Sequence, residues 1–290
     1  MSTSIQLLIN ILIPTALFGL VAAGFSVFYA LSRVQHLAIG ASVSGAGYAF
    51  LYAIKAGFGV PPAVILALAA AVAIGLFCNI AVYERLQGRR VFSALVALVS
   101  SIMLLLIAQS LILMLFGSQP KSIPLPALQR RFEIFGASIT AVQIIILPLT
   151  VFVLSAFTLY LKNSRLGTAV RAAADNPEVA EIIGINTRRL RNYAMTLISL
   201  VAGIAGILIA IEFNLEPFAS NMHAIKAFGR TIVGGTGSVA GAMLAGLLTE
   251  TAEQGGGFLL SSSFKEVYSF LVVFLFLLLR PQGLFGQKKE

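Results

Sequence analysis

The sequence predicts an all-α integral membrane protein, a single transmembrane unit over residues 1–290. About eight or nine membrane segments are expected, including a broken or re-entrant pair near the C-terminus. Three observations lead there. Of the 290 residues, 58% are hydrophobic and only 11% are charged, where soluble domains carry about 25% charged residues. Apolar runs reach the roughly 20 residues an α-helix needs to cross hydrocarbon. The charges collect in short segments between those runs, above all residues 162–192, which hold six basic and three acidic side chains.

The first span is expected over 5–31. Its excess length and Pro14 predict a tilt or a break near Pro14. It is too long for a signal-peptide core and lacks preceding basic residues, so it is expected to remain as a span. A short polar turn follows, with His36 as an interfacial residue. The second span, 37–54, is rich in small residues such as Gly40, Ala41, Ser42, Ser44 and Gly47. These let helix backbones approach closely in lipid, so this span is expected among other helices. A turn leads to a third span over 63–83 and a basic loop over 84–90. The fourth, 91–116, carries Gln109, whose amide either hydrogen-bonds a neighbouring helix or lines a route. Pro120, Pro124 and Pro126 mark 117–138 as an extra-membrane loop, with a small hairpin over 131–138. The fifth span covers 139–161 and the sixth 193–211, closed by Glu212, Asn214, Glu216 and Pro217.

Residues 162–192 are too charged for hydrocarbon, and their local signals predict a fold. Asn176 can cap a helix, Pro177 at its first position has no N–H to waste, and Glu178 meets the positive end of the dipole. Val179, Ala180, Ile182 and Ile183 form an apolar stripe, and Gly184 is where that helix would stop. Another short helix, 166–174, is expected before it, and Asn186 with Thr187 opens the next span. A stiff helix held between two spans either hands movement from a soluble partner to the membrane part or lies in the headgroups. Spacing leaves both readings open.

Beyond the sixth span, residues 223–257 are apolar enough to enter a bilayer yet are broken by Lys226, Arg230 and the cluster Gly234, Gly235, Thr236 and Gly237. Broken helices at membrane depth persist only when buried in protein or around a wet cavity, so two short segments meeting at the glycines are expected. Lys226 and Arg230 stand four apart and Glu250 and Glu253 three apart, so the two sets can cross-pair. Charge at such depth is costly and marks function by default; structural pairing and substrate contact are the two readings. The last span, 264–279, stops at Arg280 and Pro281. Arg33, Arg85, Arg89, Arg90, the basic residues of 162–192, Arg280, Lys288 and Lys289 should face the cytoplasm, with the N-terminus outside and the C-terminus inside.

Several chemistries find no support. There is no G-x-x-x-x-G-K-[ST] loop for ATP, and no H-E-x-x-H, C-x-x-C or G-x-S-x-G. Cys78 is the single cysteine, and His36 and His223, the latter expected in a loop, are far apart, so neither a metal site nor a catalytic set is expected. The net charge of +9 sits mainly at span ends and points to lipid headgroups rather than nucleic acid.

Three blocks then stand together: SRLGTAVRAAADNPEVAEIIGIN over 164–186, KAFGRTIVGGTGSVAGAMLAGLL over 226–248, and RPQGLFG over 280–286. In this order they resemble the H-type inner-membrane permease of bacterial branched-chain amino acid ABC importers, a family that also includes urea and amide permeases. The likeness covers nearly the whole chain. It implies that Arg171, Ala172, Asn176, Pro177, Glu178, Ala180, Gly184, Ile185 and Asn186 dock an ATP-binding subunit. It further implies alternating access for branched-chain or other hydrophobic amino acids in the bacterial inner (cytoplasmic) membrane. The partners would be a second permease, alike or identical, two cytoplasmic ATP-binding subunits and a substrate-binding protein, with ATP on the partners and no cofactor in this chain. Ser42, Ser44, Tyr48, Gln109, Lys226, Arg230, Gly234, Gly235, Gly237, Glu250 and Glu253 are the candidates for the pathway. After the first span this chain reads QHLAIGA over 35–41, where the family usually has N-F-A-H-G-E-x-x-x-x-G-A, which leaves the cargo open. Urea or short amides are one alternative, and a stand-alone channel or secondary carrier is another.

Overall fold

A computed structural model describes residues 2–87, 93–134, 136–235, 237–280 and 283–285. Arg89, Arg90, Thr236, Pro281, Lys288 and Lys289 lie outside the described residues.

The bundle is built around α1 (Ser2–Ser32), which is apolar on every side and accordingly buried among other helices. It runs through Pro14 in one piece, so of the tilt or break expected there the break does not occur. Thr15 donates to the Ile11 carbonyl at 2.7 Å, a polar contact beside the position where proline lacks its amide proton. Next come α2 (Ile39–Lys55) and α3 (Val60–Phe77). The latter continues through a π-helical turn, Cys78–Tyr83, into α4 (Glu84–Gln87). That turn aims polar side chains inward: Asn79 donates to Asn192 Oδ1 at 2.5 Å, and Tyr83 Oη lies 2.8 Å from His36 Nδ1. His36 is therefore buried rather than interfacial, because Phe28 and Tyr83 enclose its ring.

Ser93 caps α5 (Ala94–Phe116). The expected hairpin is present as β1 (Arg131–Ile134) and β2 (Ala137–Thr140), antiparallel with Arg131 opposite Thr140. A capping box of Thr140 and Gln143 then starts α6 (Ala141–Asn163). The polar segment folds as α7 (Arg165–Asp175) and α8 (Pro177–Ile182) and passes straight into α9 (Thr187–Phe213). This helix packs on α1, α2 and α3. Gly206 makes the approach to α2 possible, since any Cβ there would overlap the Val43 backbone. The small-residue span is thus buried among helices, as its composition predicts.

The broken stretch forms α10 (Ala219–Gly234) and α11 (Val239–Leu259), bent by 114°. Backbone meets backbone at the bend, where Gly234 lies on Gly241. The chain end covers carbonyls there: Leu284 donates to Val233 at 2.8 Å and Phe285 to Gly234 at 3.2 Å. His223, expected in a loop, lies within α10. A 3₁₀ turn, Ser262–Phe264, leads to α12 (Lys265–Leu279). Six described helices are long and apolar enough to cross a membrane, and the bent pair makes seven if counted as one span. The outer helices α5, α6 and α12 leave Met114, Phe152 and Leu279 uncovered, as suits contact with lipid.

Candidate functional site

Two regions at opposite reaches of the same helices carry the unusual chemistry. The first is the polar segment. Asn176 accepts from the amides of Glu178 at 3.0 Å and Val179 at 3.1 Å, with Pro177 at the first helical position, so α8 starts as its sequence dictates. It ends at Gly184, whose φ of +91° permits the reversal. Ile185 donates to Ala180 at 2.9 Å and Gly184 to Glu181 at 3.0 Å, which completes a Schellman closure. A six-residue helix is thereby stiffened at both ends.

Side chains brace this segment to the bundle. Arg171 donates to the Leu161 carbonyl at 2.6 Å and the Lys162 carbonyl at 3.4 Å, closing the end of α6. Arg33, just past α1, donates to Ala174 at 3.0 Å. Glu181 accepts from Thr187 at 2.5 Å, and Arg188 pairs with Glu84 at 2.8 Å. Ala180 packs inward. Val179, Ile182 and Ile183 do not: they are 50%, 83% and 66% exposed, an apolar ridge that no described residue covers. Ala172 lies half-buried on α7, and Ile185 and Asn186 line a notch with Gly184 and Arg188.

The second region is a cleft of about 440 Å³ between α1, the far end of α9, α10, α11 and the start of α12. The predicted cross-pairing forms its floor. Lys226 Nζ lies 2.7 Å from Glu253 Oε1, and Arg230 pairs with Glu250, each only 1% exposed. Arg230 also stands 4.9 Å above the Phe18 ring and reaches the Pro14 carbonyl. Pairing of this kind is what allows such charges to be buried at all. Phe213 stacks parallel to Phe18, and His223 tilts against it at 4.9 Å.

Of the pathway candidates, the structure brings Lys226, Arg230, Glu250 and Glu253 together at the cleft. Ser44 lines a small adjoining niche, as does His223. Ser42 is buried on α2, Tyr48 stacks on Phe116, and Gln109 lies on the buried stripe of α5 with Ser101 and Leu105. Gly234, Gly235 and Gly237 form the bend, against the chain end and Ala30. Phe18, Phe213, Asn214, Gln254 and Glu266 complete the cleft without having been singled out. Only the run of Glu212, Asn214 and Glu216 at a span end gave any hint of it.

With this geometry in hand, comparison with known proteins is direct. The family model "Branched-chain amino acid transport system / permease component" matches residues 7–279. The chain is 30% identical over 299 residues to the high-affinity branched-chain amino acid transport system permease protein BraD of Pseudomonas aeruginosa, covering 98% of this chain and 96% of that one. It is 33% identical over 213 residues to LivH of Escherichia coli, covering 70% and 68%. Among solved structures, PsaBC from Streptococcus pneumoniae in complex with Fab shares the fold at a TM-score of 0.52, with 14% identity over 97% of this chain and 94% of that one. The chain therefore belongs to the branched-chain amino acid transport system permease family.

Proposed function

We propose that this chain is the membrane-spanning permease subunit of an ATP-driven importer for branched-chain or other hydrophobic amino acids. It works by alternating access while separate subunits hydrolyse ATP. The observation that carries the reading is the uncovered ridge of Val179, Ile182 and Ile183 on a helix capped at both ends and tied by Glu181 to Thr187 of α9, within a segment that Arg33 holds to the end of α1 through α7 and Arg188 holds to α4. A helix lying in headgroups needs no such bracing; one that receives a push does. Two helices span the distance from this ridge to the cleft. α9 carries Thr187 at one end and Phe213 at the other, about 40 Å at 1.5 Å per residue. α1 carries Arg33 just past its end and Pro14 and Phe18 at the cleft. Closure of two ATP-binding subunits on α8 would shift these rods between two packings, provided ATP binds the two states with different affinity.

The wider arrangement follows. A second permease, alike or identical, two ATP-binding subunits and a substrate-binding protein complete the machine in the bacterial inner membrane. The N-terminus lies outside, and residues 162–192 and the C-terminus lie in the cytoplasm. Nine crossings suit this arrangement, namely the six long helices, the buried 17-residue α2, and α10 and α11 as one each, whereas counting the bent pair as a single crossing gives eight and moves one terminus to the other side. Family membership favours a subunit of an importer over a stand-alone channel or carrier. The test is retention of the ATP-binding subunits on the purified chain. Ile182→Asp with Ile183→Asp should abolish it while leaving membrane insertion intact; unchanged retention would remove the docking role.

A further inference from the structure

We infer that the cleft takes its cargo by a positively charged end, an ammonium carried on a compact apolar body, and that Glu216 and Glu266 select for it. This rests on the importer reading, which makes the cleft a cargo site. The argument is a count of which groups remain free. Both cations at the cleft are already committed, Lys226 to Glu253 and Arg230 to Glu250. A cargo carboxylate would have to break one of these pairs, and removing one partner of a buried pair is strongly unfavourable. The acidic side is not used up. Glu216 and Glu266 line the cleft from two different elements, both are exposed, and among the described residues neither has a cation within ion-pair distance. A second and independent observation points the same way. Glu253 is buried, and among the described residues its Oε2 has no hydrogen-bond partner, so a carboxylate oxygen just beneath the cleft floor is left uncompensated.

The apolar surroundings suit the rest of such a ligand. Phe213 and Phe218 leave ring surface open in the cleft, and an aromatic face adds to the attraction for an ammonium. The volume of about 440 Å³ is that of a small-molecule site.

The test uses the full chain in nanodiscs of phosphatidylglycerol, which carries no amine, with two probes of the same branched carbon body: isoamylamine and isovalerate. Isoamylamine should bind at least about tenfold more tightly, the ratio expected for one charge-assisted contact. Glu216→Gln with Glu266→Gln should remove most of that preference. Equal binding of the two probes, binding of neither, or a preference that survives the double substitution would overturn the inference. Loss of isoamylamine binding when phosphatidylethanolamine is added would assign the cleft to a lipid headgroup and overturn it as well. Retention of the ATP-binding subunits, measured on the same nanodiscs, reads the importer function separately. If retention holds and the amine preference fails, only this inference falls.

Discussion

Lys226 Nζ lies 2.7 Å from Glu253 Oε1, one helical turn from the point where Arg230 meets Glu250, so two ion-paired rungs join α10 to α11 on the side away from their glycine bend. The rungs differ in one respect. Both border the cleft floor, but the Lys226 rung retains some exposure, whereas the Arg230 rung is almost fully buried.

That difference predicts different costs. Glu250→Gln leaves a fully buried guanidinium without its counter-charge and should destabilise the protein by about 3–5 kcal/mol. Glu253→Gln leaves a lysine that can turn toward the cleft and should cost clearly less. Replacing both members of the buried rung, Arg230→Met with Glu250→Leu, should recover most of the loss, since two apolar side chains need no partner. Thermal unfolding of the purified variants gives the comparison. A Glu250→Gln protein as stable as the parent would mean that the pair contributes nothing to the fold.

Gly184→Val tests the docking helix through its backbone alone. With φ at +91° and no heavy atom within 4 Å of an added Cβ, the substitution meets no clash, only the strain of a branched residue in the left-handed region. That strain is about 1–2 kcal/mol, enough to disfavour the closed turn by roughly 5–30-fold. Insertion and overall stability should change little, while uptake per ATP hydrolysed falls. Normal coupling in vesicles containing the variant would show that the end of α8 need not hold its shape.

How much of this was legible beforehand depends on how local each cause is. Asn176, Pro177, Glu178 and Gly184 specify a helix start and stop within nine residues, so α8 could be read from the chain. The pairing of Lys226 and Arg230 with Glu253 and Glu250 followed from spacings of four and three, because the two helices are joined by a short break. Phe18 against Phe213 could not be read that way, nor could His36 against Tyr83, because those contacts depend on which helices become neighbours in the bundle. Pro14 misleads for the same reason. A proline in isolation suggests a break, but α1 is held on every side by α6, α9, α10 and α11 and stays continuous.

The enclosed His36 carries a pH dependence. It lies in the turn between α1 and α2, and burial pushes its imidazole from 6.5 down to about 3. The unfolded chain then binds a proton that the folded one rejects anywhere between those values. Stability should be fully present above about pH 6.5 and should fall as the pH drops toward 3, by up to about 1.4 kcal/mol per pH unit. Unfolding midpoints measured across that range should show the slope, and His36→Gln should flatten it. A parent slope no steeper than the variant's would mean that His36 is solvated after all.

Gly235→Leu tests the bend, and a comparison within the same broken stretch separates backbone strain from packing. Gly235 has a φ of +94°, so a leucine there is strained by about 1–3 kcal/mol before it touches anything. It would also press on the chain end, where Gly283 packs directly over Gly235 and the next two residues donate to Val233 and Gly234. Gly255, inside α11, has ordinary helical geometry and open space around an added Cβ. Gly255→Ala should therefore be neutral or stabilising by up to about 1 kcal/mol, as expected for alanine replacing glycine within a helix. If the bend is the joint on which α11 turns, Gly235→Leu should abolish uptake by reconstituted vesicles while the ATP-binding subunits remain attached, since α8 is untouched. Uptake equal to that of Gly255→Ala would show instead that this part of the bundle moves as one rigid piece, with no need for the glycine at its corner.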